Sequence, residues 1–169
     1  MHCARQATYV LVLALGLTAC GFQLRGSGDS GLPESWRRMA LITGNPNAEL
    51  SRELQSVFAA NGAVWVEKQD ASYTIKIGPE QFRQRNLSLN AQARAAEFEL
   101  TLSASFAVFD AQGLEVIATN KASVIKQMEN DPRNVVGKAE EVRILKAEMR
   151  TELVHQIVRR ISFFAASTQ

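Results

Sequence analysis

From Glu97 to Val108 the chain alternates without a break. Phe98, Leu100, Leu102, Ala104, Phe106 and Val108 take one parity; Glu97, Glu99, Thr101, Ser103, Ser105 and Ala107 take the other. Side chains of a strand point to opposite faces with a period of two, so this segment must lie between an apolar layer and a polar one. Extended to Phe109 it is ~43 Å long at ~3.3 Å per residue, more than an ordinary strand. A hairpin arm projecting beyond its covering layer follows from that length. Asp110-Ala111-Gln112-Gly113 is a turn, and Leu114, Val116, Ala118, Ala122 and Val124 mark the returning strand.

The covering layer is helical. Val142, Leu145, Met149, Leu153, Ile157, Ile161 and Phe164 share one stripe at helical spacing, in a helix opened by Asp131-Pro132. Arg143, Lys146, Glu148, Arg150, Glu152 and Arg159 fall mostly on its other faces. Earlier, Arg37 to Thr43 is a strand with Met39, Leu41 and Thr43 on one face. Asn45-Pro46-Asn47 opens a second helix, with Asn as its cap, a stripe of Leu50, Leu54, Val57 and Phe58, and a stop at Asn61-Gly62. Val64 to Glu67 is a short strand, and strand, helix, strand is the order of a right-handed parallel crossover. Tyr73, Ile75 and Ile77 alternate next; Gly78-Pro79 interrupts, and the run resumes from Phe82 to Leu89. The expected architecture is α+β: a two-layer sandwich of a mixed, mostly antiparallel sheet of four to five strands, with two helices packed on one face. Trp36 and Trp65 belong to its core or rim.

Only one apolar run, about Ala7 to Leu17, is long, and it is too short to span a bilayer. It suits a signal-peptide core, and Leu17-Thr18-Ala19-Cys20 behind it resembles a bacterial lipobox. We therefore expect residues 1–19 to be removed, Cys20 to carry lipid, residues 20–35 to form a lipidated tether, and residues 36–169 to form a single domain. Gly21, not Asp, follows the cysteine, which points to the outer membrane. Cys3 and Cys20 are the only cysteines, so the mature domain folds without a disulfide. With Lys+Arg 19 against Asp+Glu 17 the net charge is +2, too even for an electrostatic nucleic-acid binder.

The residues of catalysis are missing from the sequence. His155 stands alone in the mature chain, and no phosphate loop, nucleophile elbow or metal-ligand spacing is present. Glu97 and Glu99 read as a solvated strand face. We expect no enzyme, no cofactor and no metal. One constellation points to binding. An antiparallel arm has its tip between Asn86 and Ala93, flanked by Arg83, Arg85 and Arg94; the returning strand and the last helix bring Lys126, Arg133 and Lys138 to the same end. Arg offers bidentate contacts to phosphate and Lys a point charge, while Leu87 and Leu89 offer apolar contact. That combination suits an amphipathic, phosphate-bearing ligand such as a glycolipid.

These residues also resemble a known family. Cys20-Gly21-Phe22-Gln23-Leu24-Arg25 looks like the start of a mature LptE, the lipopolysaccharide-assembly lipoprotein. Asn45-Pro46-Asn47 with Leu50-Ser51-Arg52 and Asn61-Gly62 is similar to that family's first helix, Ala96-Glu97-Phe98 to its Ala-Glu-aromatic strand, and Asp131-Pro132 with Lys138 to the approach to its last helix. The resemblance implies a non-enzymatic plug of the outer-membrane barrel LptD that binds lipopolysaccharide through basic residues at one end. Lys138 falls on such a position, whereas Ala91 stands where a family Arg is expected and Arg94 is nearby. The polar strand face would suit the polar interior of a large barrel. The alternative is a periplasmic adaptor lipoprotein that binds a secretin or a peptidoglycan synthase and has no lipid ligand.

Overall fold

The computed structural model describes residues 31–89, 95–130 and 135–168. The expected lipid attachment at Cys20, the first part of the tether, the hairpin tip, Arg94, Asp131-Pro132 and Arg133 lie outside the described residues.

The sheet has six strands: β1 (Arg38–Thr43), β2 (Val64–Trp65), β3 (Tyr73–Ile77), β4 (Gln81–Leu89), β5 (Ala95–Asp110) and β6 (Glu115–Glu129). β1 pairs in parallel with β2 and with β3, as the crossover order requires. β5 is the spine, antiparallel to β6 along one side. Along its other side lie β3, from Tyr73↔Asp110 to Ile77↔Phe106, and then β4, from Gln81↔Ser103 onward. The count exceeds the expected four to five because Gly78-Pro79 divides one long run into two strands. Gly78 donates its N–H to Ser105 O, and a Cβ there would meet Ser105 Oγ, which would have to rotate away. β5 has 16 residues, ~53 Å at ~3.3 Å each, and extends past the β1–β3 body as an arm.

Helices α1 (Glu49–Ala60) and α2 (Val135–Ser167) cover one face. Leu54 and Phe58 of α1 and Met149, Leu153, Ile157 and Ile161 of α2 are sealed against Ile75, Leu100, Leu102, Phe106 and Val108. Phe98 and Leu145, expected in the same layer, are only half-buried. Trp36 is a core residue: its ring stacks on Tyr73 at 3.6 Å and meets Phe164 edge-on. Trp65 meets Phe58 edge-on and donates to Gln55 O.

Two local expectations change. α1 starts at Glu49 and its N-cap position is Ala48, so neither asparagine is the cap and Pro46 precedes the first turn. Instead the preceding turn is tied by Ser51 Oγ, which donates to Asn45 O, and by Thr43 Oγ1, which accepts from Asn45 N–H. The folded body also begins before residue 36: Leu32 is buried, and its N–H bonds Asn61 O.

The middle of the free edge of β6 is blocked by side chains. Gln156 accepts from Ser123 N–H, Arg160 donates to Lys121 O, and Glu115 accepts from Thr119 N–H. Blocking edge groups in this way discourages strand addition.

Candidate functional site

At the arm, register decides which way each charge points. Leu100 faces the helices, and Lys126, opposite it on β6, shares that face. Lys126 Nζ reaches α2, 2.7 Å from Glu152 and 3.1 Å from Glu148, and these bonds hold its ammonium pKa above the ordinary value. Phe98 is also on the helix side, and Lys138, the fourth residue of α2, holds its Nζ 4.4 Å from the ring centroid. Lys146 repeats the arrangement over Phe82, at 5.4 Å. A cation above a half-exposed ring leaves charge and apolar surface side by side.

Arg83 and Arg85 lie on the opposite, uncovered face, in register with Thr101 and Glu99. Arg85 grips Glu99 through two bonds of 2.6 and 2.9 Å. These hold the Glu99 carboxyl below the ordinary carboxylate range. Glu97 accepts from Ser88 Oγ. The two carboxylates are therefore spoken for as structural partners. Arg83 is exposed and makes no ion pair among the described residues. Of the four described basic candidates, all lie along the arm, but Lys126 and Lys138 face the helices and Arg83 and Arg85 face away. Lys126 and Arg85 already hold carboxylates; Lys138 and Arg83 do not.

A second charged group was not anticipated. Arg150, expected on a polar flank of its helix, is 8% exposed. It forms a bidentate pair with Glu80 at 2.6 and 3.0 Å and reaches Glu49 at the start of α1. Lys146 joins Glu80 at 3.2 Å. Burial pushes the Glu80 carboxyl up, but bonds from Arg150 and Lys146, with their charges, outweigh it and hold the pKa below the ordinary 4.5. The network joins the β3–β4 break to both helices. A charged residue beside Met149 on the apolar stripe was the signal in the sequence, but its partner lies 70 positions away. Because Lys146 belongs to this network, Arg159, which is exposed, is the better remote cation for comparison.

Among the described residues no cluster of metal-ligating side chains forms, and no helix is long and apolar enough to cross a membrane. His155 is exposed on α2.

A family model described as "LptE: Lipopolysaccharide-assembly" matches residues 36–161. The LPS-assembly lipoprotein LptE of Photorhabdus laumondii is 25% identical over 159 residues, which cover 93% of this chain and 85% of that protein. The protein of that name from Yersinia pestis is 27% identical over 165 residues, covering 93% and 75%. Among solved structures, an uncharacterized lipoprotein B from Nitrosomonas europaea matches with a TM-score of 0.73 and 26% identity, over 86% of this chain and 93% of that one. The rare lipoprotein B of Shewanella oneidensis shares the fold, with a TM-score of 0.68 and 22% identity over 78% of this chain and 98% of that one.

Proposed function

The chain belongs to the LptE family of lipopolysaccharide-assembly proteins, and on that premise we propose that it is anchored to the outer membrane through Cys20, seats in the lumen of the LptD barrel as a plug, and binds lipopolysaccharide at its arm. Membership of the family places it in lipopolysaccharide assembly among envelope lipoproteins. The finer reading rests on chemistry.

The observation that carries it is Lys138 above Phe98. Lipid A-type molecules join phosphates to acyl chains, so their site needs a cation adjoining apolar surface. Lys138 has no carboxylate partner among the described residues, so its charge is available to a ligand. Arg94 and Arg133 complete the proposed set, with Arg83, Arg85 and Lys126 as outer members. Arg85 and Lys126 would take part only by sharing or exchanging their carboxylate partners.

The second support is the bare polar face. Arg83, Arg85, Glu99, Thr101 and Gln127 lie on the side of the arm turned away from α1 and α2. Such a face matches the polar interior of a large outer-membrane barrel. No step of chemistry is involved: the protein binds and positions, with no catalytic residue or cofactor.

A pull-down of the lipidated chain from detergent-solubilised membranes tests the reading. Recovery of a large barrel, with lipopolysaccharide retained by the complex, is the expected result. Recovery of a soluble periplasmic domain instead, unaffected by lipopolysaccharide, would make the chain an adaptor.

A further inference from the structure

The uncovered face carries a second feature, at the end opposite Lys138. β1, β3 and β5 lie side by side there, and Ile42, Thr74, Lys76 and Phe109 share the face turned away from the helices. Their neighbours of the other parity, Met39, Ile75 and Val108, are in the core. Lys68, from a 3-10 turn, and the Asp110–Gly113 turn complete a cleft of about 470 Å³.

Three properties decide what suits it. Its floor is mixed: Thr74 and Lys76 of β3 lie in the middle, with exposed Ile42 on the β1 side and half-buried Phe109 on the β5 side. Lys68 and Lys76 bring two ammonium groups, and neither makes an ion pair or side-chain hydrogen bond among the described residues. Thr74 is 5% exposed, yet its hydroxyl makes no hydrogen bond there. The hydroxyl oxygen itself is not sealed from solvent, so it is open to a ligand from the cleft. The lining holds one carboxylate, Asp110, against the two ammonium groups, and its Oδ1 accepts from the N–H groups of Gln112 and Leu114. Gly113, at a φ of +81°, closes that turn.

We infer that this cleft binds an anionic group, phosphate or carboxylate, carried on an apolar moiety. The two ammonium groups attract the anion, Thr74 Oγ1 donates to it, and Ile42, Phe109 and the lysine stems take the hydrocarbon. A bare inorganic anion would leave the floor uncovered, and a neutral apolar molecule would leave both lysines unpaired. The cleft is separate from the Lys138 site and does not depend on it. It is on the other face, and Phe109 lies ~36 Å along β5 from Phe98 at ~3.3 Å per residue.

The test follows amide shifts of the isotope-labelled full chain in neutral detergent on addition of hexyl phosphate, hexanoate, inorganic phosphate or hexanol. Hexyl phosphate or hexanoate should shift Thr74, Lys76, Ala111 and Gly113 saturably. Either anion binding in this way upholds the inference, and the tighter one identifies the head group. The double substitution Lys68→Gln with Lys76→Gln, at exposed positions, should weaken binding about tenfold. The shape-preserving Thr74→Val should weaken it by a smaller factor, with Lys68→Gln alone as a companion should that variant fold poorly. Binding of inorganic phosphate or hexanol as tight as that of hexyl phosphate would overturn the inference. So would the absence of shifts, or affinity unchanged by the double substitution.

Discussion

At one end of the sheet five strands lie side by side beneath both helices; at the other, only β4, β5 and β6 continue, under the first turns of α2. The same spine, β5, runs through both. In the body its apolar residues Leu102, Phe106 and Val108 are sealed. Farther along, Phe98 is half-buried, as is Phe82, the β4 partner of Leu102 at the margin of the body, and a lysine stands over each ring. Alternation alone does not distinguish the two ends. What differs is whether a second layer arrives, and that decides whether an aromatic ring is core or contact surface. Fewer buried apolar contacts at the arm predict a lower local opening free energy there than in the body.

The sharpest way to break the comparison is a pair of truncations on β5. Leu102→Ala should destabilise by roughly 2–5 kcal/mol in denaturant unfolding, as large-to-small changes in sealed cores do. Phe98→Ala removes a larger side chain but one less covered, and should cost only ~1–2 kcal/mol. Equal losses would mean that the arm is as tightly packed as the body.

Next in size is the Glu80–Arg150 pair, at the junction of body and arm. Glu80→Gln leaves a buried guanidinium with Glu49 as its remaining partner, and should cost ~2–4 kcal/mol, toward the low side of buried pairs broken on one side. The folded pKa of Glu80 is depressed, so its contribution is complete above the ordinary value of 4.5 and is lost as pH falls through the folded value. Unfolding midpoints of the parent chain should therefore drop more steeply below about pH 4.5 than those of Glu80→Gln. Parallel curves would remove Glu80 from the acid response.

Smaller still, Lys138→Gln should change stability by less than ~1 kcal/mol, the scale of an exposed cation over a ring. Arg85→Gln, which loosens Glu99 on the bare face, should leave the thermal midpoint unchanged. A marked loss in either would assign the arm's cations to the fold and not to a ligand.

The periodic parts of this molecule were legible in the sequence. Alternation separates the two faces of β5, although Ser103 and Ala107 on the polar parity are buried as well, and the stripe from Met149 to Ile161 names the buried face of α2. Both signals are local. Arg150 was not legible because a charge beside an apolar stripe reads as flank until its partner is known, and Glu80 comes from the β3–β4 break. The basic end was legible as a position along the arm but not as a surface. Facing depends on pairing register, which sets Arg85 opposite Glu99 on one side and Lys126 opposite Leu100 on the other. The start of α1 was misplaced for a similar reason: Asn45 and Thr43 bond each other and Ser51, so Asn45 shapes the turn before the helix.

The central claim is that the half-covered arm, not the sealed body, is where lipopolysaccharide binds. Its most direct measurement is lipopolysaccharide binding by the full chain carrying Lys138→Asp, alone and with Arg94→Asp, against Arg159→Asp as the remote reversal. Opposing several cations to one multivalent anion is cumulative and salt-sensitive, so the arm variants should lose affinity stepwise, with the parent's salt dependence flattened, and with unfolding midpoints close to the parent's. Arg159→Asp should bind nearly as the parent does. Unchanged binding in the arm variants, or an equal loss in all three, would contradict the account.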